Sequence, residues 1–303
     1  MERWQLKQLQ ELPLEIKIAK TKQRIKEWYE YFNGEVYVSF SGGKDSTVLL
    51  DIVRQIYPEV KGVFVDTGLE YPEIRDFVKT IDNIDWVKPK LNFNEILCKY
   101  GYPIISKEQS QFISECKNTK SEKLRDIRLN GNKWGMGKIS KKWRYLVDAP
   151  FKISDRCCTY IKKQPIYKYE KENNKVPYIG NLAEESFMRT QMYLQQDGCN
   201  SFNTKRMTSK PLGFWTEQDI LVYIKTYNIP YSKIYGNLEE KEEKLYLTGA
   251  QRTGCMFCMF GIHLDDEPNR FQRMKLTHPK LYDYCINKLG CGKVLDYMNI
   301  KYK

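Results

Sequence analysis

Apolar positions along the chain follow two alternating rhythms. Over residues 14–32 they recur at helical spacing, with Ile18, Ile25, Trp28 and Phe32 on one face, and Asn33-Gly34 supplies the stop. This pattern predicts a helix that packs on the outside of the domain or on a partner chain. The run Val36-Tyr-Val-Ser-Phe40 then reads as a strand. Leu49, Ile52, Val53 and Ile56 follow at i, i+3, i+4 and i+7, which marks one buried helix face. Gly62–Val65 and Val176–Ile179 read as further strands. A helix is expected over 108–128, an exposed connector over 239–244, and a Cys-rich turn with two helices over 250–303. Strands alternating with amphipathic helices predict an α/β, Rossmann-like fold: a mostly parallel sheet with helices on both faces, plus a helical C-terminal subdomain. The expected division is an N-terminal helical segment (1–34), an α/β domain (35–236) with a basic insertion at about 90–150, and a Cys-containing helical subdomain (237–303).

At 303 residues the chain suffices for one large α/β domain with an appended subdomain. No run approaches the ~18 apolar residues that cross a bilayer, and the charged N-terminal stretch lacks a secretory apolar core, so a cytoplasmic protein is expected. Nine cysteines in that compartment suit metal or thiol chemistry better than a disulfide framework. The net charge of +12 is uneven. Residues 117–144 hold ten Lys or Arg against two acids, Glu122 and Asp126, with Trp134, Trp143 and Tyr145 interleaved and Gly131, Gly135 and Gly137 loosening the middle. Three uses fit such a stretch: a solvated basic surface, a lid that gathers an anionic nucleotide, or a track for tRNA or DNA. Charge alone does not choose among them.

The most informative local pattern joins the first strand to the helix behind it. Ser41-Gly-Gly-Lys-Asp-Ser46 forms a two-glycine turn that aims backbone N–H groups at one spot beyond the strand's carboxyl end. The helix dipole and the Lys44 ammonium make that spot attractive to phosphate. Gly42 and Gly43 permit a sharp turn and close ligand approach, and Ser41, Ser46 and Thr47 offer hydroxyls. The spacing is not that of a Walker loop. Asp66, at the end of the second strand, falls on the same sheet edge, where ligands bind in folds of this kind.

Ser41-Gly-Gly-Lys-Asp-Ser46 resembles the pyrophosphatase (PP) loop of the adenine-nucleotide alpha-hydrolase superfamily, and further segments narrow the match to its phosphoadenosine phosphosulfate (PAPS) reductase branch. These are Asp66-Thr-Gly-Leu-Glu-Tyr-Pro-Glu73, Cys157-Cys158 with Lys162 and Pro165, Glu185-Ser186 with Arg189, Pro211-Leu-Gly-Phe-Trp-Thr-Glu-Gln-Asp-Ile220 with Pro230-Tyr231, and Gly254-Cys255-Met-Phe-Cys258. They run in order across most of the chain. The resemblance implies an adenine-nucleotide alpha-hydrolase-like fold and a nucleotide site in which Ser41, Gly42, Gly43, Lys44, Asp45 and Ser46 cradle phosphates. It sets Asp66 and Thr67 near ribose or adenine, with Glu185, Ser186 and Arg189 at the border. Lys162 is implied either as a phosphate or sulfate ligand or as a counter-charge to a cluster.

Cys157-Cys158 and Cys255-x-x-Cys258 are separated by 96 residues. Four thiolates from two distant pairs suit a tetrahedral zinc or a four-iron cluster, although adjacent cysteines are awkward for a simple zinc site because consecutive side chains tend to point apart. In assimilatory adenosine phosphosulfate (APS) reductases such pairs carry a [4Fe-4S] cluster, and the resemblance implies that role for Cys157, Cys158, Cys255 and Cys258. Cys98, Cys116, Cys199 and Cys285 suit plain core packing.

Two features depart from the reductase pattern. Its Glu-Cys-Gly-Leu-His nucleophile motif has only Leu289-Gly-Cys-Gly292 as a counterpart, which makes Cys291 the candidate nucleophile with Lys293 as its cationic neighbour. The phosphate loop keeps Gly43, Lys44 and Asp45 as in the ATP-cleaving branch. Lys44 suits leaving pyrophosphate and Asp45 is a candidate magnesium ligand. Leu182 also stands where the reductases usually carry Arg. Three readings follow: ATP-dependent adenylate activation with sulfur transfer, a true APS or PAPS reductase releasing sulfite, and a non-catalytic nucleotide- or nucleic-acid-binding module. The intact loop favours the first. A sulfur or electron donor protein is implied by either enzymatic reading, and a homo-oligomer is a candidate assembly.

Overall fold

The structure, a computed structural model, describes residues 1–196 and 198–303. Its strands in chain order are β1 (Val36–Ser39), β2 (Gly62–Val65), β3 (Ile84–Val87), β4 (Ile104–Ile105), β5 (Val176–Ile179), β6 (Asn200–Ser201), β7 (Thr208–Ser209), β8 (Leu238–Lys241), β9 (Lys244–Leu247) and β10 (Met259–Phe260). The first helices are α1 (Arg3–Gln10), α2 (Leu14–Tyr31), α3 (Lys44–Arg54), α4 (Pro72–Lys79), α5 (Phe93–Tyr100), α6 (Lys107–Asn118) and α7 (Glu122–Asn130). They are followed by α8 (Gln164–Asn173), α9 (Phe187–Gln195), α10 (Glu217–Tyr227), α11 (Arg270–Thr277), α12 (Pro279–Asp283) and α13 (Cys291–Tyr297).

The chain forms two compact units, cut differently from the three consecutive segments expected. Unit 1 comprises Met1–Asp66, Glu70–Val87 and Ile166–Thr253; unit 2 comprises Thr67–Leu69, Lys88–Pro165 and Gly254–Lys303. The basic segment and the C-terminal residues therefore share one unit. None of the described helices is long and apolar enough to cross a membrane.

Unit 1 is a Rossmann-like α/β layer structure. Its sheet runs β3-β2-β1-β5-β7-β6, parallel throughout except for the β6–β7 pair. Because side chains alternate along a strand, β1 divides its apolar residues between two faces. Val36 and Val38 join a large core with Val48, Leu49, Ile52, Ile74 and Trp215, while Tyr37 joins Val63, Ile166 and Tyr169 on the other side. A sheet buried on both faces explains the near-continuous apolar strands. The order of connection reverses between β1 and β5, whose register pairs Val36 with Val176 and Ser39 with Ile179. Ligand crevices in open α/β sheets form at such a switch point.

Helix α2 is part of this core rather than an outside element. Ile25 and Trp28 are fully buried, and Trp215 Nε1 donates to Thr21 Oγ1 at 2.9 Å. Lys17 Nζ, itself buried, reaches Asp219 Oδ2 at 2.5 Å, and that carboxylate also accepts from the Thr216 amide at 2.6 Å where it opens α10. The expected connector at 239–244 is a hairpin, β8 and β9, turned by Glu242 and Glu243 with φ of 52° and 62°.

In unit 2, β4 and β10 pair in parallel, Ile104 with Met259. The helix expected over 108–128 is two helices, α6 and α7. Thr119 turns extended (ψ 142°), and Ser121 caps α7 by accepting from the Leu124 amide at 3.2 Å. The residues after 250 form more pieces than the two helices expected: α11, α12, a π turn at Tyr284–Lys288 and α13.

Candidate nucleotide and cysteine sites

In unit 1 the phosphate-loop segment lies at the switch point, leading from β1 into α3. Gly42 has φ of +70°, and a Cβ there would come within 2.8 Å of Ile74 and Val78, so glycine is required on both backbone and packing grounds. Ser46 Oγ accepts from the Ser41 amide at 3.2 Å and donates to the Gly43 carbonyl at 2.9 Å, which ties the turn across its mouth. Thr47 Oγ1 donates to the same carbonyl at 3.0 Å. Gly180, which follows β5, presses on the loop from the side; a Cβ there would meet Ser46 Cα at 3.0 Å. As residues of the first turn of α3, Asp45 and Ser46 have amides with no intrahelical acceptor, the arrangement that attracts anions.

Lys44 is buried and held between two carboxylates, Asp45 Oδ1 at 3.3 Å and Glu217 Oε1 at 3.2 Å. Burial alone would push its ammonium down, but Asp45 and Glu217 outweigh that effect and raise it above the ordinary lysine value. Asp45 shifts up as well, chiefly because it is buried, with Glu185 and Glu217 adding to the rise against the pull of Lys44. Its Oδ1 has no hydrogen-bond partner among the described residues. The Lys44 ammonium is within ion-pair reach but not aligned to donate. Tyr235 closes the back of the loop: its hydroxyl accepts from the Lys44 amide at 3.2 Å and pairs with Thr253 Oγ1 at 2.8 Å.

Glu185 accepts from the Leu182 amide at 3.0 Å and pairs with Arg189, and Ser186 caps α9 by accepting from the Arg189 amide at 3.3 Å. Asp66, at the end of β2, is buried and bonded by Arg75 Nη2 at 2.9 Å. Thr67 follows it in sequence and belongs to unit 2; its Oγ1 accepts from the Leu69 amide at 3.2 Å.

Both cysteine pairs belong to unit 2. Cys157-Cys158 opens a helix, so the two side chains diverge by roughly 100° rather than the 180° of a strand, and both can serve one group. Cys255 and Cys258 flank a tight turn in which the Cys258 amide donates to the Cys255 carbonyl at 3.1 Å. Burial pushes the Cys157 thiol far up, and Cys158, Cys255 and Cys258 each push it further, with Lys162 pulling the other way. The Cys258 thiol is likewise raised by burial and by Cys158, and lowered by Arg270 and Lys162. Lys162 lies in the π turn Thr159–Lys163 that continues directly from Cys157-Cys158. Among the described residues no three Cys, His, Asp or Glu side chains converge closely enough to hold a single metal ion. One zinc needs each sulfur about 2.3 Å from a common point. A four-iron cluster spreads its thiolates over four metals, and four thiols flanked by two cations fit that donor set.

The family model for the phosphoadenosine phosphosulfate reductase domain matches residues 35–137 and 106–260. The chain belongs to the PAPS reductase domain family. It is 26% identical over 270 residues to an uncharacterized Methanocaldococcus jannaschii protein, covering 88% of this chain and 43% of that one. A second protein of that organism is 24% identical over 274 residues, covering 88% and 51%. The chain therefore spans about half the length of these curated relatives. It is 24% identical over 210 residues to an adenosine 5'-phosphosulfate reductase of Staphylococcus epidermidis, covering 68% of each. Two solved structures are similar in part. One is a PAPS reductase from Candida auris in a phosphate complex (15% identity, 80% of this chain and 98% of that one, TM-score 0.41). The other is the U34-tRNA thiolase NcsA from Methanococcus maripaludis with its [4Fe-4S] cluster (13%, 95% and 83%, TM-score 0.37).

Against the PAPS reductase pattern, the seat of Cys291 is the main difference. Its side chain is fully buried, as is that of Cys285, whose thiol is driven up by a hydrogen bond with Cys291 and by burial. A nucleophile must reach its substrate, and this thiol is sealed in the interior of unit 2. Glu217, Tyr235, Thr253 and Arg270 were not singled out from the sequence. The one signal available was Glu217's place inside the Pro211–Ile220 segment of the family pattern, where it reads as an ordinary first-turn acid of α10.

Proposed function

We propose that this PAPS reductase family protein is a PP-loop enzyme that binds ATP and activates an acceptor as its adenylate for sulfur transfer. The observation that carries this reading is the buried Lys44, held at the first turn of α3 between Asp45 and Glu217. An acceptor oxygen attacks the α-phosphorus, the bond to the β-phosphate breaks, and pyrophosphate leaves with its negative charge met by Lys44 and the first-turn amides. A sulfur nucleophile then displaces AMP. Magnesium would arrive with ATP, and Asp45 and Glu217 are the carboxylates that would help hold it. Cys157, Cys158, Cys255 and Cys258 would hold the [4Fe-4S] cluster, with Lys162 and Arg270 balancing its charge. The cluster, when bound, supplies the sulfur-handling chemistry.

A second reading, reduction of APS or PAPS to sulfite, is favoured by the similarity to curated APS reductases. The burial of Cys291 counts against it. The deciding experiment uses anaerobically purified, iron-verified protein, assayed for sulfite from APS and PAPS and for pyrophosphate from ATP with candidate acceptors. Pyrophosphate without sulfite is expected. Sulfite from either nucleotide would replace the adenylation reading with the reductase one.

A further inference from the structure

The net positive charge of the chain comes from unit 2. That unit carries 26 Lys and Arg against 12 Asp and Glu, a net +14, whereas unit 1 carries 24 against 26, a net −2. Residues 117–144 are the densest stretch, and the fold sorts their ten cations by role. Lys117 donates to the Ala149 carbonyl at 2.6 Å, Arg128 pairs with Glu115 at 2.6 Å and donates to the Gly137 carbonyl at 2.8 Å, and Arg144 donates to the Leu129 carbonyl. These three are held by partners within or beside the segment. The other seven are exposed.

The aromatic residues are sorted in the same way. Trp143 is buried with its ring 5.2 Å from that of His263, and Tyr145 leans on Tyr297 at 5.8 Å. Trp134 is 68% exposed, with Lys133 Nζ 4.2 Å from its ring and Met136 beside it in sequence, 61% exposed. The loop that carries it is well bonded. Asn132 Oδ1 accepts from the Trp134 and Met136 amides at 2.9 and 3.0 Å, and the Asn132 amide donates to the Met136 carbonyl at 2.8 Å. An ordered loop thus holds an indole out in water between Lys133 and Lys138, where it adds little to the core and presents a flat face for stacking.

We propose that residues 132–138, with the exposed cations around them, form a binding surface for single-stranded nucleic acid. Trp134 stacks on an unpaired base while the lysines follow the phosphates. A single strand suits the loop better than a duplex, whose base faces are already stacked. It also suits it better than a membrane surface, which calls for a broad apolar face rather than one indole and one thioether. The proposal concerns binding and stands whether or not the strand is the sulfur acceptor.

The test is anisotropy of labelled RNA and DNA single strands and of the matching DNA duplex with the full chain, beside sedimentation with phosphatidylserine vesicles. Single strands should bind most tightly, with the affinity falling with salt at about 0.7 log unit per phosphate engaged. Trp134→Ala should weaken binding about 5- to 100-fold, and Trp134→Phe should recover most of it. Replacing Lys133 and Lys138 together with Ala should flatten the salt slope by about 1.4. A preference for one sugar assigns RNA or DNA as the natural source. Equal affinity for duplex and single strand with no effect of Trp134→Ala, binding to vesicles alone, or no binding at low salt would each overturn the proposal.

Discussion

Lys44 lies between Asp45 and Glu217 with little access to water, so no solvent cation can replace it without rearrangement. Lys44→Ala should lower pyrophosphate release by at least about 100-fold, the usual cost of losing one preorganised charge donor, and leave the iron absorbance unchanged. Turnover equal to wild type would remove the loop from the mechanism. His263 offers a residue-level test of a different kind. Burial holds its pKa below the ordinary value, Lys142 lowers it further and Asp265 pulls it back. Its Nδ1 is buried and lacks a hydrogen-bond partner among the described residues. A histidine with a depressed folded pKa favours the fold while neutral. Its contribution is therefore present above the unfolded value of about 6.5 and lost as pH falls through the folded one. Wild type should lose thermal stability between pH 7 and 5 more steeply than His263→Asn; parallel profiles would dismiss this role.

Two contacts between elements shape the surroundings of the phosphate loop. Lys17 joins α2 to the start of α10 through Asp219, both largely buried. Removing one partner of such a pair strands the other, so Lys17→Ala should cost about 3 kcal/mol in chemical denaturation. A loss near zero would mean that water replaces the ammonium. Gly180 brings the end of β5 against the first turn of α3, and the atoms a side chain would meet, Ser46 Cα, Ser46 N and Asp45 O, belong to backbone. Gly180→Ala should push the phosphate-binding turn by a few tenths of an ångström and raise the KM for ATP roughly tenfold, with the fold retained. An unchanged KM would show that the turn yields without consequence. At this scale the local strand–turn–helix around Ser41-Gly-Gly-Lys-Asp-Ser46 was legible because every residue that shapes its backbone is contiguous. The hairpin at 238–247 was not. Its turn uses Glu242 and Glu243 at positive φ, where Asn or Gly is the usual signal, so the acids read as an exposed connector. The break between α6 and α7 was hidden because Thr119 and Ser121 interrupt an otherwise continuous helical pattern only by side-chain capping.

The whole molecule divides its properties between two units, an acidic one with the phosphate loop and a basic one with the cysteines. A group bound only by the folded state stabilises the unit that holds it. Iron chelation should therefore speed amide exchange in unit 2, around the helix opened by Cys157 and the turn at Cys258, and leave the β1 and β5 amides of unit 1 unchanged. Equal loss of protection in both units, or in neither, would speak against a cluster on these four thiols. The sequence by itself determined the α/β class and the phosphate-loop turn. Those depend on periodicity, glycine placement and residue type, which are local or countable. Only the tertiary structure decided that Glu217 and Tyr235 join Lys44 from more than 170 residues away and that α2 belongs to the core. It also decided that Cys291 is sealed in the interior and that Trp134 stays in water while Trp143 does not. Burial and pairing depend on which elements the fold brings together, and no run of adjacent residues records that.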